Sequence, residues 1–91
     1  MRHTARNAAV QALLQVEENE GYSNLVLDKV LKAFQLERRD SALTSILFYG
    51  VLEKKITLDF YLQHCLKAPE KKMNAAVEMT LRCAAYQILF L

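Results

Sequence analysis

The chain has no tryptophan, one proline (Pro69) and two glycines (Gly21 and Gly50) in 91 residues. So few chain-breaking residues argue against disorder and against many tight turns. No apolar run approaches the roughly 18 residues that a membrane span needs. The start, Met1-Arg2-His3-Thr4-Ala5-Arg6, leads into polar-interrupted sequence rather than the continuous apolar stretch of a secretory signal, so a cytoplasmic protein is expected. There are two cysteines, Cys65 and Cys83, each inside a helical pattern, and reduced, buried thiols are the expected state. An excess of one charge is also missing. Twelve basic against ten acidic side chains leave a net charge of +2, weak footing by itself for a nucleic-acid partner. The distribution says more: up to Val16 there are Arg2, His3 and Arg6 and no acid, then Glu17, Glu18 and Glu20 at once, and later the lysine pairs Lys54-Lys55 and Lys71-Lys72.

What the chain does have is apolar residues, 53% of the total, arranged with the helical period in five segments. In the first, about 5–18, Ala5, Ala9, Ala12, Leu13 and Val16 share a face opposite Asn7, Gln11, Gln15 and Glu18. Thr4 can cap its start, and Gly21 marks its stop. In the second, Leu27, Val30, Leu31 and Phe34 repeat at helical spacing, with Ser23 or Asn24 as cap and an end near Gln35. The third, about 37–55, carries the stripe Leu43, Ile46, Leu47, Gly50, Val51. A glycine on that face costs about 1 kcal/mol of helix propensity, which predicts another helix passing close over it. The fourth opens at Thr57 and carries Leu58, Tyr61, Leu62, Cys65 and Leu66, ending by Pro69. The fifth follows Asn74, a good cap, with Val77, Leu81, Ala84, Ala85 and Ile88 on one face and Glu78–Arg82 as an i, i+4 pair in the favourable order. It has no stop signal. No segment alternates as a strand does. An all-α bundle of about five helices is predicted, occupying 1–91 as one domain and apparently cut short at its C-terminal end.

The search for chemistry is mostly negative. No glycine-rich loop can cradle a phosphate or nucleotide. His3 and His64 lack metal-ligand spacing with each other or with the cysteines. Asp28, Asp40 and Asp59 fall on separate segments and read as solvated helix faces. No catalytic residue, metal or cofactor is therefore expected in this chain. The aromatics sit on or beside apolar stripes and read as core, except Tyr86, which continues the Glu78–Arg82 row. It is either a hydrogen-bonded buried tyrosine or a surface on which a base stacks. The basic start is the best functional candidate, because Arg2 and Arg6 lie one turn apart at a helix end whose macrodipole is positive, which suits a phosphate backbone. A frayed, solvated terminus is the plain alternative.

Four stretches then make a pattern: Ala5-Arg6-Asn7-Ala8-Ala9-Val10-Gln11-Ala12-Leu13; Tyr22-Ser23-Asn24-Leu25 with Leu27-Asp28; Arg39-Asp40, Leu43 and Tyr49-Gly50-Val51-Leu52 followed by Leu58-Asp59; and Val77-Glu78, Leu81-Arg82, Tyr86-Gln87. In order and spacing they resemble the NusB-like all-helical RNA-binding family. The closer resemblance is to the N-terminal domain of bacterial small-subunit (16S) rRNA 5-methylcytosine methyltransferases of the RsmB, or Sun, type. The resemblance implies an accessory module that binds or positions rRNA for a catalytic methyltransferase domain on the same polypeptide. That domain, with S-adenosylmethionine as its cofactor, would lie beyond Leu91. Arg2 and Arg6 match the basic first helix that touches RNA in the family, with His3 and Gln11 as weaker additions. Lys54 and Lys55 are added from their charge alone, as an exposed basic pair after the third helix. A free-standing NusB-type antitermination factor, binding RNA and a ribosomal protein, is the alternative. A purely structural or dimerising helical domain is a third reading, since an uncovered apolar end could drive self-association.

Overall fold

The computed structural model describes residues 4–19, 22–65 and 74–91. Among them every regular element is a helix: α1 (Ala5–Asn19), α2 (Ser23–Phe34), α3 (Arg38–Cys65) and α4 (Ala75–Phe90). The all-α class is as the sequence predicts, but four helices stand where five segments were read. The third and fourth segments are one helix, α3, kinked at Lys54 (φ −102°, ψ 16°). Thr57 is therefore not a cap but lies within α3. A local break is present near the boundary read from sequence, yet the helix resumes because its second half has a core residue to bury, Leu58, which has no exposed surface.

Two of the caps are as expected. Thr4 Oγ1 accepts the Asn7 N–H at 3.1 Å, and Asn74 Oδ1 accepts the Ala76 N–H at 2.8 Å, starting α4. Neither Ser23 nor Asn24 caps α2. Tyr22 occupies that position with no side-chain bond. At the other end of α2, Gln35 adopts a left-handed conformation (φ 51°, ψ 48°) and donates its N–H to Leu31 O at 3.1 Å, closing the helix where the sequence placed its end. Gly21 and Pro69 lie outside the described residues.

The core is built from Ala8, Ala9, Ala12 and Leu13 of α1, Leu27 and Val30 of α2, Leu47, Phe48, Val51 and Leu58 of α3, and Met79 and Cys83 of α4. Alanines on α1 let α3 and α4 pack closely on it. At one end Thr44 Oγ1 donates to both Asp40 O (2.8 Å) and Ala5 O (3.3 Å), fastening the first turns of α3 to the start of α1. Gly50 is buried against the ring of Tyr86, as its position on an apolar stripe predicts.

Two sequence readings are corrected here. On α4 the face turned inward is Met79, Arg82, Cys83 and, half-buried, Tyr86. Of the stripe Val77, Leu81, Ala84, Ala85 and Ile88 read from sequence, Val77, Ala84 and Ile88 are exposed, Ile88 by 82%, while Leu81 and Ala85 are half-buried. Apolar residues run all round this helix, so periodicity alone could not choose the buried face. The aromatics are also mostly not core: Phe48 is fully buried, whereas Tyr22, Tyr49, Phe60, Tyr61 and Phe90 are exposed. Tyr86 packs on Gly50 and stacks on Phe90 with centroids 5.4 Å apart, and its hydroxyl makes no hydrogen bond among the described residues. Among the described residues no helix is long and apolar enough to cross a membrane.

Candidate functional site

α1 and α4 pack side by side and leave a groove of about 560 Å³ between them. Its apolar wall includes Val10 and Leu14 of α1, Phe34 of α2 and Cys83 of α4. Its polar groups are Arg6, Asn7 and Gln11 from α1 and Thr80 and Gln87 from α4. Helical spacing explains the grouping on α1: Asn7 and Gln11 are one turn apart on one face, with Arg6 and Val10 beside them. Arg6 Nε donates to Gln87 Oε1 at 3.0 Å, joining the two walls at the surface. That bond fixes which way the Gln87 amide points, with its NH₂ left as a donor. The side-chain amides of Asn7 and Gln11 have no partner among the described residues. Cys83 is a free thiol in the floor, and burial pushes its pKa up to about 11, so it is a packing group and not a nucleophile. Cys83 is thus the buried thiol expected of it; the side chain of Cys65 lies outside what is described.

Of the six side chains singled out from sequence, Arg6 and Gln11 meet in this groove. Arg2 and His3 lie outside the described residues. Lys54 and Lys55 are not an exposed pair at a helix end. Lys54 is half-buried at the kink of α3, with Nζ 5.3 Å from the centroid of the Phe90 ring. Lys55 is exposed, in a separate depression with Glu17 and Arg82. Glu17 is eleven residues along α1 from Arg6, about 16 Å at the rise of an α-helix. The groups that sequence reasoning passed over are Asn7 and Gln87. The first read only as part of a polar stripe, and the second needed the antiparallel pairing of α1 with α4 to be placed. Arg38 and Arg39 were passed over as well. They are exposed at the start of α3, beside the start of α1 by virtue of the Thr44 bond.

A second polar cluster holds the helices together. Arg82 is 5% exposed, yet it is fully partnered. Nε and Nη2 bind Asp59 Oδ1 and Oδ2 at 2.8 and 3.1 Å, Nη2 also reaches Glu78 Oε1 at 2.7 Å, and Nη1 lies 3.7 Å from Glu17 Oε2. Burial opposes the charge, but the hydrogen bonds that Arg82 donates to Asp59 and the charges of Asp59, Glu78 and Glu17 outweigh it and raise the guanidinium pKa above its ordinary value. The Glu78–Arg82 pair was legible in the sequence. Asp59, read there as a solvated face, is in fact the bidentate partner. Among the described residues no group of three or more His, Cys, Asp or Glu side chains could hold a metal ion.

The model of the NusB family matches residues 3–91 of this sequence. The chain belongs to the NusB family. It is 35% identical over 88 residues to the probable ribosomal RNA small subunit methyltransferase B of Bacillus subtilis (strain 168), an alignment that covers 97% of this chain and 20% of that relative. The chain thus spans about a fifth of the length of the curated relative it matches. No solved structure matches it. In this NusB-family chain three of the four stretches that carry the sequence resemblance meet in space. Arg6 of the first touches Gln87 of the last, Gly50 of the third touches Tyr86 of the last, and Asp59 of the third binds Arg82 of the last.

Proposed function

We propose that this chain is an RNA-binding accessory module that positions rRNA for a methyltransferase making 5-methylcytosine, with the catalytic domain on the same polypeptide, acting in the cytoplasm. The observation that carries the reading is the polar rim of the α1–α4 groove. Arg6 is anchored there by Gln87 with the rest of its guanidinium unpartnered among the described residues, Gln11 and Asn7 lie beside it, and Arg38 and Arg39 are at the same end of the bundle. Arg2 and His3, next to Arg6 in the chain, belong to the same proposal. A guanidinium held by one nitrogen keeps its remaining N–H groups for a phosphate oxygen. Family membership and the likeness to the Bacillus subtilis protein support RNA as the polyanion. Lys54 and Lys55 are set apart from this rim, so of the two lysines only the exposed Lys55 is kept as an outlying phosphate contact.

S-adenosylmethionine belongs to the proposed catalytic domain and does not fit the residues present here. The described residues contain no strand and glycine-rich loop of the kind that cradles such a cofactor, and neither an acid nor a lysine lines the α1–α4 groove. No methyl-transfer step is assigned to this chain.

The test is a titration of single-stranded rRNA fragments at several salt concentrations. Arg6→Ala is expected to weaken binding by about three- to tenfold on every sequence and to flatten the salt slope by roughly 0.7, the contribution of one phosphate contact on a single strand. Binding no better than to an unrelated acidic polymer, with Arg6→Ala without effect, would return the chain to a structural role.

A further inference from the structure

We propose that the α1–α4 groove takes one unstacked nucleobase of a bound single strand, read at its edge by the carboxamides of Gln11, Asn7 and Gln87; this rests on the RNA-binding reading above. A surface that only follows a phosphate backbone needs positive charge and no cavity. This groove has the reverse make-up. Arg6 stands at its rim, and the remaining polar lining is three carboxamides and one threonine over an apolar floor, with no lysine and no acid. Carboxamides are the side chains that match the paired donor and acceptor of a base edge, and an apolar floor accepts the face of the ring. The volume of about 560 Å³ falls within the range of about 300–1,000 Å³ found for small-ligand sites. The orientation of one reader is already set. Arg6 takes Gln87 Oε1 and leaves the Gln87 NH₂ to donate. Arg6 can then hold a phosphate of the strand whose base enters the groove, so a single pair of side chains couples backbone contact to base contact.

Thr80 lies on the α4 wall, exposed, with only an intrahelical bond to Ala76 O, so Thr80→Phe fills the groove without changing charge. Gln11→Leu removes one reader from an exposed position of α1 and serves as a second variant, independent of any folding defect in the first. The probes are oligouridine, oligocytidine and oligoadenine of about twelve nucleotides, within the site sizes known for single-strand binders, and a strand of equal length and charge that lacks bases. At least one base-bearing strand is expected to bind about tenfold tighter than the abasic one, the scale of a single buried base. Thr80→Phe and Gln11→Leu should each cut that preference, read as the ratio of base-bearing to abasic affinity in the same variant, to about twofold. Equal affinity for all four strands, with the salt slope intact, overturns the nucleobase site and leaves RNA binding standing. A base preference that survives both variants overturns its placement in this groove. Failure of every strand to bind in a salt-dependent way removes the RNA-binding reading itself.

Discussion

Gly50 has no side chain, and the ring of Tyr86 fills the space where one would be. On an exposed helix Gly→Ala would gain about 1 kcal/mol. Here the new methyl group would overlap the Tyr86 ring, which is itself backed by Phe90. Overpacking of this kind costs about 1–3 kcal/mol, so Gly50→Ala should destabilise the chain by about 1–2 kcal/mol in urea unfolding. The same substitution placed in a Tyr86→Ala background should change sign and stabilise by about 1 kcal/mol; a loss of equal size in both backgrounds would show that the ring is not the obstacle. Cys83 gives a pH dependence. Burial raises its pKa from 9.0 to about 11, so the folded chain holds the thiol proton more tightly than the unfolded one. The contribution is complete below about pH 9 and is lost as pH rises through 11, in total about 2–3 kcal/mol. Wild type should therefore lose more stability than Cys83→Ala between about pH 8 and pH 11, read as the difference between their urea midpoints. Parallel curves would refute it.

Arg82 joins three elements: Asp59 on α3, Glu78 on its own helix and Glu17 at the end of α1. Removing it leaves three carboxylates facing one another around a void. Because those partners keep contact with water, the loss stays below that of a fully buried ion pair, and Arg82→Ala should cost about 3 kcal/mol. Arg82→Met, which keeps the volume, should cost less. Glu17 is half-exposed and 3.7 Å away, so Glu17→Gln should cost under about 0.5 kcal/mol. Chemical denaturation of the three variants checks the order, and an equal loss for Glu17→Gln and Arg82→Ala would contradict it. This cluster also shows how far the sequence could be read. The i, i+4 spacing of Glu78 and Arg82 was visible because a helix brings such residues together by its own geometry. Asp59 is 23 residues from Arg82 and Glu17 is 65 away, so only tertiary packing could reveal them. The same holds at the candidate site. Arg6 and Gln11 came from local charge and from the family resemblance, whereas Gln87, 81 residues from Arg6, reaches it only because α4 runs antiparallel to α1. The boundary near Lys54 was legible as a break but not as a kink, since what carries α3 onward is the burial of Leu58.

Across the molecule, two apolar surfaces among the described residues have similar chemistry and different energetic standing. One is the core, where Leu58 has no exposed area. The other is a strip along the second half of α3 and the outer face of α4, where Tyr61, Leu62, Leu81, Ala85, Ile88 and Leu89 line a shallow depression of about 280 Å³. Residues of the strip still meet water: Ile88 is 82% exposed. Hydrophobic stabilisation scales with the area taken out of water, so side chains of equal size on the two surfaces should respond in opposite ways. Leu58→Ala should lose about 2–4 kcal/mol through a cavity, which for a domain of this size lowers the melting temperature by more than about 10 °C. Ile88→Lys removes almost no buried area and puts a cation in the last turn of α4, where the helix macrodipole favours it. Its melting temperature should stay within about 2 °C of wild type, while fluorescence of a dye that binds exposed apolar surface should fall. Scanning calorimetry alongside dye titration reads both. If Ile88→Lys melted as early as Leu58→Ala, the strip would be part of what folds the chain, and the division between a closed core and an open apolar face would not hold.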